Sequence, residues 1–244
     1  MEQSFDGRSV VIAALVGSPN YNLKEANSDE DWKYLVSPSF DDLYDGTYYT
    51  QSHNSPERDF TVHDIRRFCQ LLGKGNPYFL EILFSIKVYA TPRYHDLLEQ
   101  LIEKREKLAS MNRPGLYRAC IGHSKEKIKN LRKGTATTKD AVAQKGYDTK
   151  EALHAYRLLD LLERYYHYEW DFGRAIWYPE EERGPLLALK SGAIDNKEID
   201  CYLQEKVRRL QSLERYYNNE LVQIKTKKWL EEKIRLAVLL NFLH

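Results

Sequence analysis

Two acidic residues separated by one position, Asp29 and Asp31, stand just ahead of an apolar and aromatic run, Trp32 to Val36. If a strand begins near Asp29, its period of two turns Asp29 and Asp31 to one face and Glu30 to the other. Carboxylates that close repel one another, raise each other's pKa and call for a cation between them. Oxygen donors at that spacing suit Mg²⁺, which keeps several waters and completes its shell with substrate phosphates. Upstream, Val10 to Val16 reads as a buried strand because it is short, rich in β-branched residues and closed by Gly17. Gly17-Ser18-Pro19-Asn20 is a turn that could bring backbone N–H groups and a hydroxyl to phosphates, since glycine lets the backbone approach closely. An Asp-X-Asp pair taken alone is usually plain solvated charge. The order of strand, Gly-Ser, polar gap, paired acids and second strand favours chemistry.

That order resembles the nucleotidyltransferase superfamily that includes DNA polymerase β. Its signature is Gly-Ser or Gly-Gly after a first strand, a paired acid on the second and a single acid on a later one. The stretches GSPNYNL and SDED look closer still to the RNA repair pathway DNA polymerase β family. Asp59, in the short alternating run Asp59-Phe60-Thr61-Val62-His63, is the candidate for the single acid; a turn or cap role is the alternative. Asp64 is the rival, but it opens a helical pattern, where the helix dipole favours a carboxylate for structural reasons. The resemblance extends through Ile65-Arg66-Arg67-Phe68, Lys74-Gly75-Asn76-Pro77 and Glu81-Ile82-Leu83, and it supports Asp59 over Asp64. For Lys74 and Asn76, closure of a helix by a neighbouring glycine is the simpler reading.

A second chemistry-bearing pattern lies further along. After Asp148 or Thr149 as cap, Lys150, His154 and Arg157 fall at i, i+4 and i+7 on one helix face, beside an apolar stripe of Ala152, Leu153, Tyr156, Leu159 and Leu162. Basic side chains in line repel each other, and a triphosphate is the anion that would relieve them. Pairing with Glu151 or Asp160 is the structural alternative. This stretch also matches the helical pattern Tyr-Asp-x-Lys-x-Ala-x-His-x-x-Arg-Leu-Leu of the same family.

The elements that must carry these groups follow from the rest of the chain. The 244 residues suffice for one large domain or two small ones, and a net charge of +1 with 30% charged residues argues for a globular protein over a nucleic-acid-coating tail. Three well-separated cysteines show no metal-ligand spacing and fit reduced thiols in the cytoplasm. No stretch approaches the ~18 apolar residues of a membrane span, and MEQSFDGRS lacks the basic-then-apolar form of a signal peptide. Residues 37–58 read as loop or hairpin, with Tyr48 to Thr50 as a possible strand. From Thr91 the pattern is helical almost to the end, with a basic excess over Lys104 to Lys133 and a polar loop at 133–141. Gly173 to Tyr178 reads as loop with a short strand. A helix from about Leu221 to Phe242 is expected to close a helical core with Trp229, Ile234, Leu236 and Leu240. The eighteen tyrosines are expected to pack helices with their hydroxyls at the surface.

The expected fold is therefore α+β: a mixed-sheet nucleotidyltransferase domain over residues 1–90 and a helical domain over 91–244 that completes the substrate cleft. The resemblance implies metal-dependent transfer of a nucleoside monophosphate from a triphosphate such as ATP to a hydroxyl, on RNA or an RNA end. It implies that Asp29, Asp31 and Asp59 hold Mg²⁺ or Mn²⁺. Gly17 and Ser18 would take the β- and γ-phosphates, and Lys150, His154 and Arg157 the departing pyrophosphate. A protein or small-molecule acceptor is one alternative; a catalytically inert nucleotide- or RNA-binding subunit is the other.

Overall fold

The computed structural model describes residues 4–24, 30–55, 58–135 and 138–243. The fold is α+β, and the chain divides into two compact units. Met1–Asn20, Lys24–Asn112 and Val222–His244 form the first, and Tyr21–Leu23 with Arg113–Leu221 form the second. Residue 90, the expected boundary, falls inside the first unit.

The first unit is built on a mixed sheet of β1 (Ser4–Phe5), β2 (Arg8–Val16), β3 (Asp31–Val36), β4 (Thr50–Ser55), β5 (Arg58–Asp64) and β6 (Val88–Ala90), ordered β1-β2-β3-β5-β4 with β6 on β2. Asp6 and Gly7 both adopt positive φ (47° and 75°), the conformation that joins β1 to β2 in a two-residue hairpin. Strand β2 pairs with β3 and β6, and its apolar run from Val10 to Leu15 is almost wholly buried. Such a run suits a strand covered on both faces. Strands β3 and β5 are parallel, with Asp31 opposite Asp59, Lys33 opposite Thr61 and Leu35 opposite His63. These six residues share one face, and Trp32, Tyr34, Val36, Phe60 and Val62 share the other. The second face gathers Val10, Tyr34, Val36, Phe60 and Val62, flanked by Phe5, Trp32 and Tyr49.

Parallel pairing requires a crossover, and the one from β3 to β5 carries β4 and a short helix, α1 (Phe40–Tyr44), within the segment expected as loop or hairpin. A capping box between Ser39 and Asp42 starts α1. The Asp42 carboxylate also takes both arms of Arg8 at 2.6 and 2.8 Å, which holds it far below the usual carboxylate range. Helix α2 (Ile65–Gly73) follows β5 directly. Asp64 is its N-cap, accepting the Arg66 amide at 2.7 Å, so its structural role is confirmed. Gly75 (φ 73°) stops the chain beyond α2, and Asn76 caps α3 (Pro77–Leu80), accepting the Tyr78 amide. Phe79 of α3 lies against His63 of β5 (5.1 Å between rings) and Phe68 of α2, with the Lys33 ammonium 5.0 Å from its centre. This layer therefore covers the sheet face that carries Asp31 and Asp59 further along. Helices α4 (His95–Glu103) and α5 (Arg105–Ser110) complete the run.

The last helix, Ile224–Leu240, returns to this first unit and packs on α2 and α5 instead of closing a helical core. It buries Leu230, Ile234 and Ala237, whereas Leu236 and Leu240 of the expected stripe are 48% and 44% exposed.

The second unit is helical: α6 (Arg113–Asn130), α7 (Lys139–Lys145), α8 (Thr149–His167), α9 (Phe172–Ile176), α10 (Gly184–Ser191), α11 (Ile199–Gln211) and α12 (Glu214–Asn218). Helix α8 is its axis, touching α6, α9, α10 and α11. Asp148 caps it, accepting the Lys150 and Glu151 amides. Helix α9, capped by Asp171, stands where a short strand was expected. The tyrosines depart from expectation too: Tyr147, Tyr178 and Tyr217 are fully buried, and their hydroxyls bond to the Ile194 carbonyl, Asp160 and the Leu162 carbonyl. Each of these three hydroxyls has an internal acceptor that meets the requirement burial imposes.

Replacing Asp42 removes its half of the α1 capping box and the partner of a largely buried guanidinium. Asp42→Ala is expected to lose about 2–3 kcal/mol in urea denaturation, with an Arg8→Met/Asp42→Leu double variant recovering part of it.

Candidate active site

Val16, Asp31 and Asp59 form a row across β2, β3 and β5. Neighbouring strands lie about 4.8 Å apart, so Asp31 and Asp59 stand side by side on one face, each half-buried. Asn54 of β4 donates to Asp59 Oδ2 at 3.2 Å, fixing one oxygen of that carboxylate from the strand's other edge. Glu30, just before β3, is tied away by Lys24 and Lys87 (3.3 Å each), whose hydrogen bonds lower its pKa. Asp29, the remaining member of the expected acid set, lies outside the described residues.

Gly17 follows β2 at φ 83°, and a Cβ built there would stand 3.0 Å from Asp31 Oδ2. The position needs glycine on two counts, its left-handed backbone and the carboxylate against it. Ser18 opens a short 3₁₀ turn, Ser18–Tyr21, closed by the Asn20 amide on the Gly17 carbonyl. The Gly17 amide itself points inward, donating to Glu81 Oε1 at 2.6 Å. That amide is engaged within the protein.

Glu81 and Asn20 are the residues that sequence reasoning missed. Both are almost fully buried, at 3% and 1% exposure. Asn20 Nδ2 donates to Glu81 Oε1 and to the Leu15 carbonyl, and its Oδ1 accepts the Ile86 amide. Each belongs to a stretch that carries the family resemblance, but their separation of 61 positions hides the pairing.

In the second unit, the α8 stripe is graded in burial. Lys150 is exposed, His154 half-buried, and Arg157 8% exposed with its guanidinium 3.6 Å from the centre of the Tyr21 ring. The acids of the same helix are engaged elsewhere: Glu151 with Lys127 at 2.7 Å, and Asp160 with Lys206 and Tyr178. Burial, reinforced by Arg157, Lys127 and Lys150, pushes the His154 imidazole down to about 3. At neutral pH the stripe therefore holds two cations and a neutral ring, not three cations. His154 Nδ1 is enclosed and has no hydrogen-bond partner among the described residues.

Another group of metal-type donors, His95, Asp96 and Glu99, stands exposed near the start of α4 with ligand atoms within 4.8 Å of one another. His95 and Glu99 form an i,i+4 pair at 3.6 Å, and Asp96 suits the helix N-terminus. Their local chemistry explains them without an ion.

Two outcomes follow from this geometry. Gly17→Ala is expected to lose about 1–2 kcal/mol of stability in denaturant titration, from positive φ alone. His154 and His63 (pushed to about 4, chiefly by burial) both have folded pKa values below their ordinary 6.5. Above pH 6.5 neither state binds the extra proton; below it only the unfolded chain does, so stability falls as pH drops from 6.5 toward 3. Denaturation midpoints across that range should show the fall, and His154→Gln should flatten it.

No curated protein sequence matches this chain. Residues 2–162 match the sequence profile of the RNA repair pathway DNA polymerase beta family. That span covers the Gly17-Ser18 bend, the acids on β3 and β5, the Glu81–Asn20 pair and the basic stripe of α8. With well over half its length matched, the chain belongs to the RNA repair pathway DNA polymerase beta family.

Proposed function

We propose that the protein is a metal-dependent nucleotidyltransferase, moving a nucleoside monophosphate from a nucleoside triphosphate to a hydroxyl on RNA or an RNA end. One observation carries this reading: Asp31 stands directly opposite Asp59 on parallel strands, next to a glycine bend. Membership of a polymerase β-like family supports it.

The donor set fits a hard divalent cation such as Mg²⁺ or Mn²⁺. It consists of carboxylate oxygens, half-buried so that waters and phosphate oxygens retain access. Asp31 and Asp59, with Asp29 as the expected third ligand, would hold the metal; bound there, it would neutralise phosphate charge and lower the pKa of the attacking hydroxyl. The chain's own groups do the rest. Asn54 holds one oxygen of Asp59, which orients the carboxylate before substrate arrives. Ser18 offers its hydroxyl to the β- and γ-phosphates at a bend whose shape depends on Gly17. Lys150 and Arg157 are assigned to the leaving pyrophosphate, Lys as a point charge and Arg as a fork. His154 is neutral at neutral pH, and a phosphate beside it would shift its balance toward the protonated form. The exposed Lys150 end and the buried Arg157 end would give the stripe an outer attracting group and an inner fixed one.

Among the described residues no helix is long and apolar enough to cross a membrane. Cys69, Cys120 and Cys201 are free thiols, in keeping with a cytoplasmic setting.

Incubation with each labelled triphosphate, Mg²⁺ or Mn²⁺ and total RNA tests the reading. Label on RNA is the expected result, falling on the order of 10³-fold in Asp31→Asn and Asp59→Asn with the fold retained. Label on protein or on a small molecule would transfer the activity to another acceptor. Triphosphate binding without transfer in either metal would mark an inert binding subunit. Full activity in the Asp29→Asn/Asp31→Asn double variant would overturn the site.

A further inference from the structure

Glu81 is a carboxyl group in the core of the first unit, 3% exposed, on the 3₁₀ turn Glu81–Phe84 that follows α3. Burying such a group is costly unless hydrogen bonds satisfy it. Its Oε1 accepts two: the Gly17 amide at 2.6 Å and Asn20 Nδ2 at 3.1 Å. Asn20, equally buried, passes the connection on to the Leu15 carbonyl and the Ile86 amide. The end of β2, the 3₁₀ turn after it and residues 81–86 are thereby fastened to one another by side chains that see almost no water.

Ser18 lies between the two clamped positions, Gly17 and Asn20. Gly17 also sits close to Asp31 Oδ2, since a Cβ there would stand 3.0 Å from that oxygen and the carboxylate would have to give way slightly. A shift of the Val16–Gly17 peptide would therefore change two things together, the presentation of Ser18 and the spacing between the bend and the first carboxylate. A carbon-only side chain at residue 81 would fill the space but leave the Gly17 amide and Asn20 without their acceptor, and the bend would be free to move.

We propose that Glu81 is a positioning residue for the triphosphate. Its carboxyl oxygen holds the Gly17 amide inward and thereby sets the bend so that Ser18 faces the phosphates beside Asp31. The inference rests on the nucleotidyltransferase reading. It deepens that reading by assigning the phosphate grip to a clamp that never touches substrate. Because the clamp grips the β- and γ-phosphates, which carry their charge before transfer as well as when they depart together as pyrophosphate, its loss should weaken ground-state binding most, raising KM with at most a small fall in kcat. The property that matters is an acceptor at the right reach, so glutamine, whose amide oxygen can still accept from Gly17, should serve and shorter aspartate should not.

The test compares the full chain carrying Glu81→Ala, Glu81→Gln or Glu81→Asp with wild type. Three readouts are used: steady-state transfer of labelled triphosphate, calorimetric binding of Mg²⁺-triphosphate, and hydrogen exchange at the Gly17 amide. Glu81→Ala and Glu81→Asp are expected to raise KM and Kd for triphosphate about tenfold or more with kcat within about threefold, and to speed Gly17 exchange. Glu81→Gln should stay within about threefold of wild type on all three. If Glu81→Ala does not fold, the contrast between Gln and Asp decides. Unchanged KM and Kd in Ala or Asp alongside faster Gly17 exchange would make Glu81 purely structural and overturn the proposal. Equal damage from Gln and Ala would do so too, since the acceptor would then not be what counts. A wild-type chain that neither transfers label nor binds triphosphate would overturn the nucleotidyltransferase reading itself, and the role of Glu81 with it.

Discussion

The parallel pairing of β3 with β5 is the constraint on which the first unit turns. Antiparallel neighbours can be joined by a tight turn, but parallel ones need a crossover that carries the chain back to the same end of the sheet. Here that crossover contains α1 and β4, and its result is that two strand beginnings lie side by side with an aspartate on each. Acids adjacent on one face are a liability in a fold that has nothing to put between them. The apolar content of the same strands, from Leu35 to the Tyr34–Phe60 cluster, holds the pairing in register despite that repulsion. A one-residue slip would move those side chains to the wrong face, so the register of the acids is inherited from the burial of their neighbours.

Around this pair the structure spends polar side chains, the exposed Asn54 and the buried Glu81 and Asn20, on orientation. Asn54 takes one oxygen of Asp59, Glu81 takes the amide of Gly17, and Asn20 ties three backbone segments together. None of these contacts enlarges the apolar core; each removes a degree of freedom from a group beside the acids, which is how a site is held ready in advance. The α8 stripe follows a related logic within the second unit. Its own acids are drawn off by Lys127, Lys206 and Tyr178, and the ring of His154 is kept neutral chiefly by burial, with the cations around it adding to the effect. An anion arriving there would meet a charge pattern that its own helix does not cancel.

Much of this was legible in the residues. The Val10–Val16 run, the alternation after Asp59, the Asp64 cap, the Gly75-Asn76-Pro77 break and the Asp148 cap all express local chemistry, and local chemistry prevailed at each. Helix α1 was hidden because five residues are too few to show a period; only the Ser39–Asp42 spacing marked it. Helix α9 was masked by a glycine and aromatics that read as strand. The last helix shows an apolar stripe but not its destination, and its return to the first unit depends on α2 and α5, over a hundred residues away. The buried tyrosine hydroxyls and the Glu81–Gly17 bond share that reason: their partners are distant in the chain, and spacing along a sequence carries no trace of them.

The central claim is that Asp31 and Asp59 together bind a divalent cation. The most direct measurement is a crystal of the wild-type chain grown with Mn²⁺ and examined by anomalous scattering. The predicted result is a peak within ligand distance, about 2.2 Å, of an oxygen from each of Asp31 and Asp59. Density at His95, Asp96 and Glu99 with none between the two strand acids would contradict it.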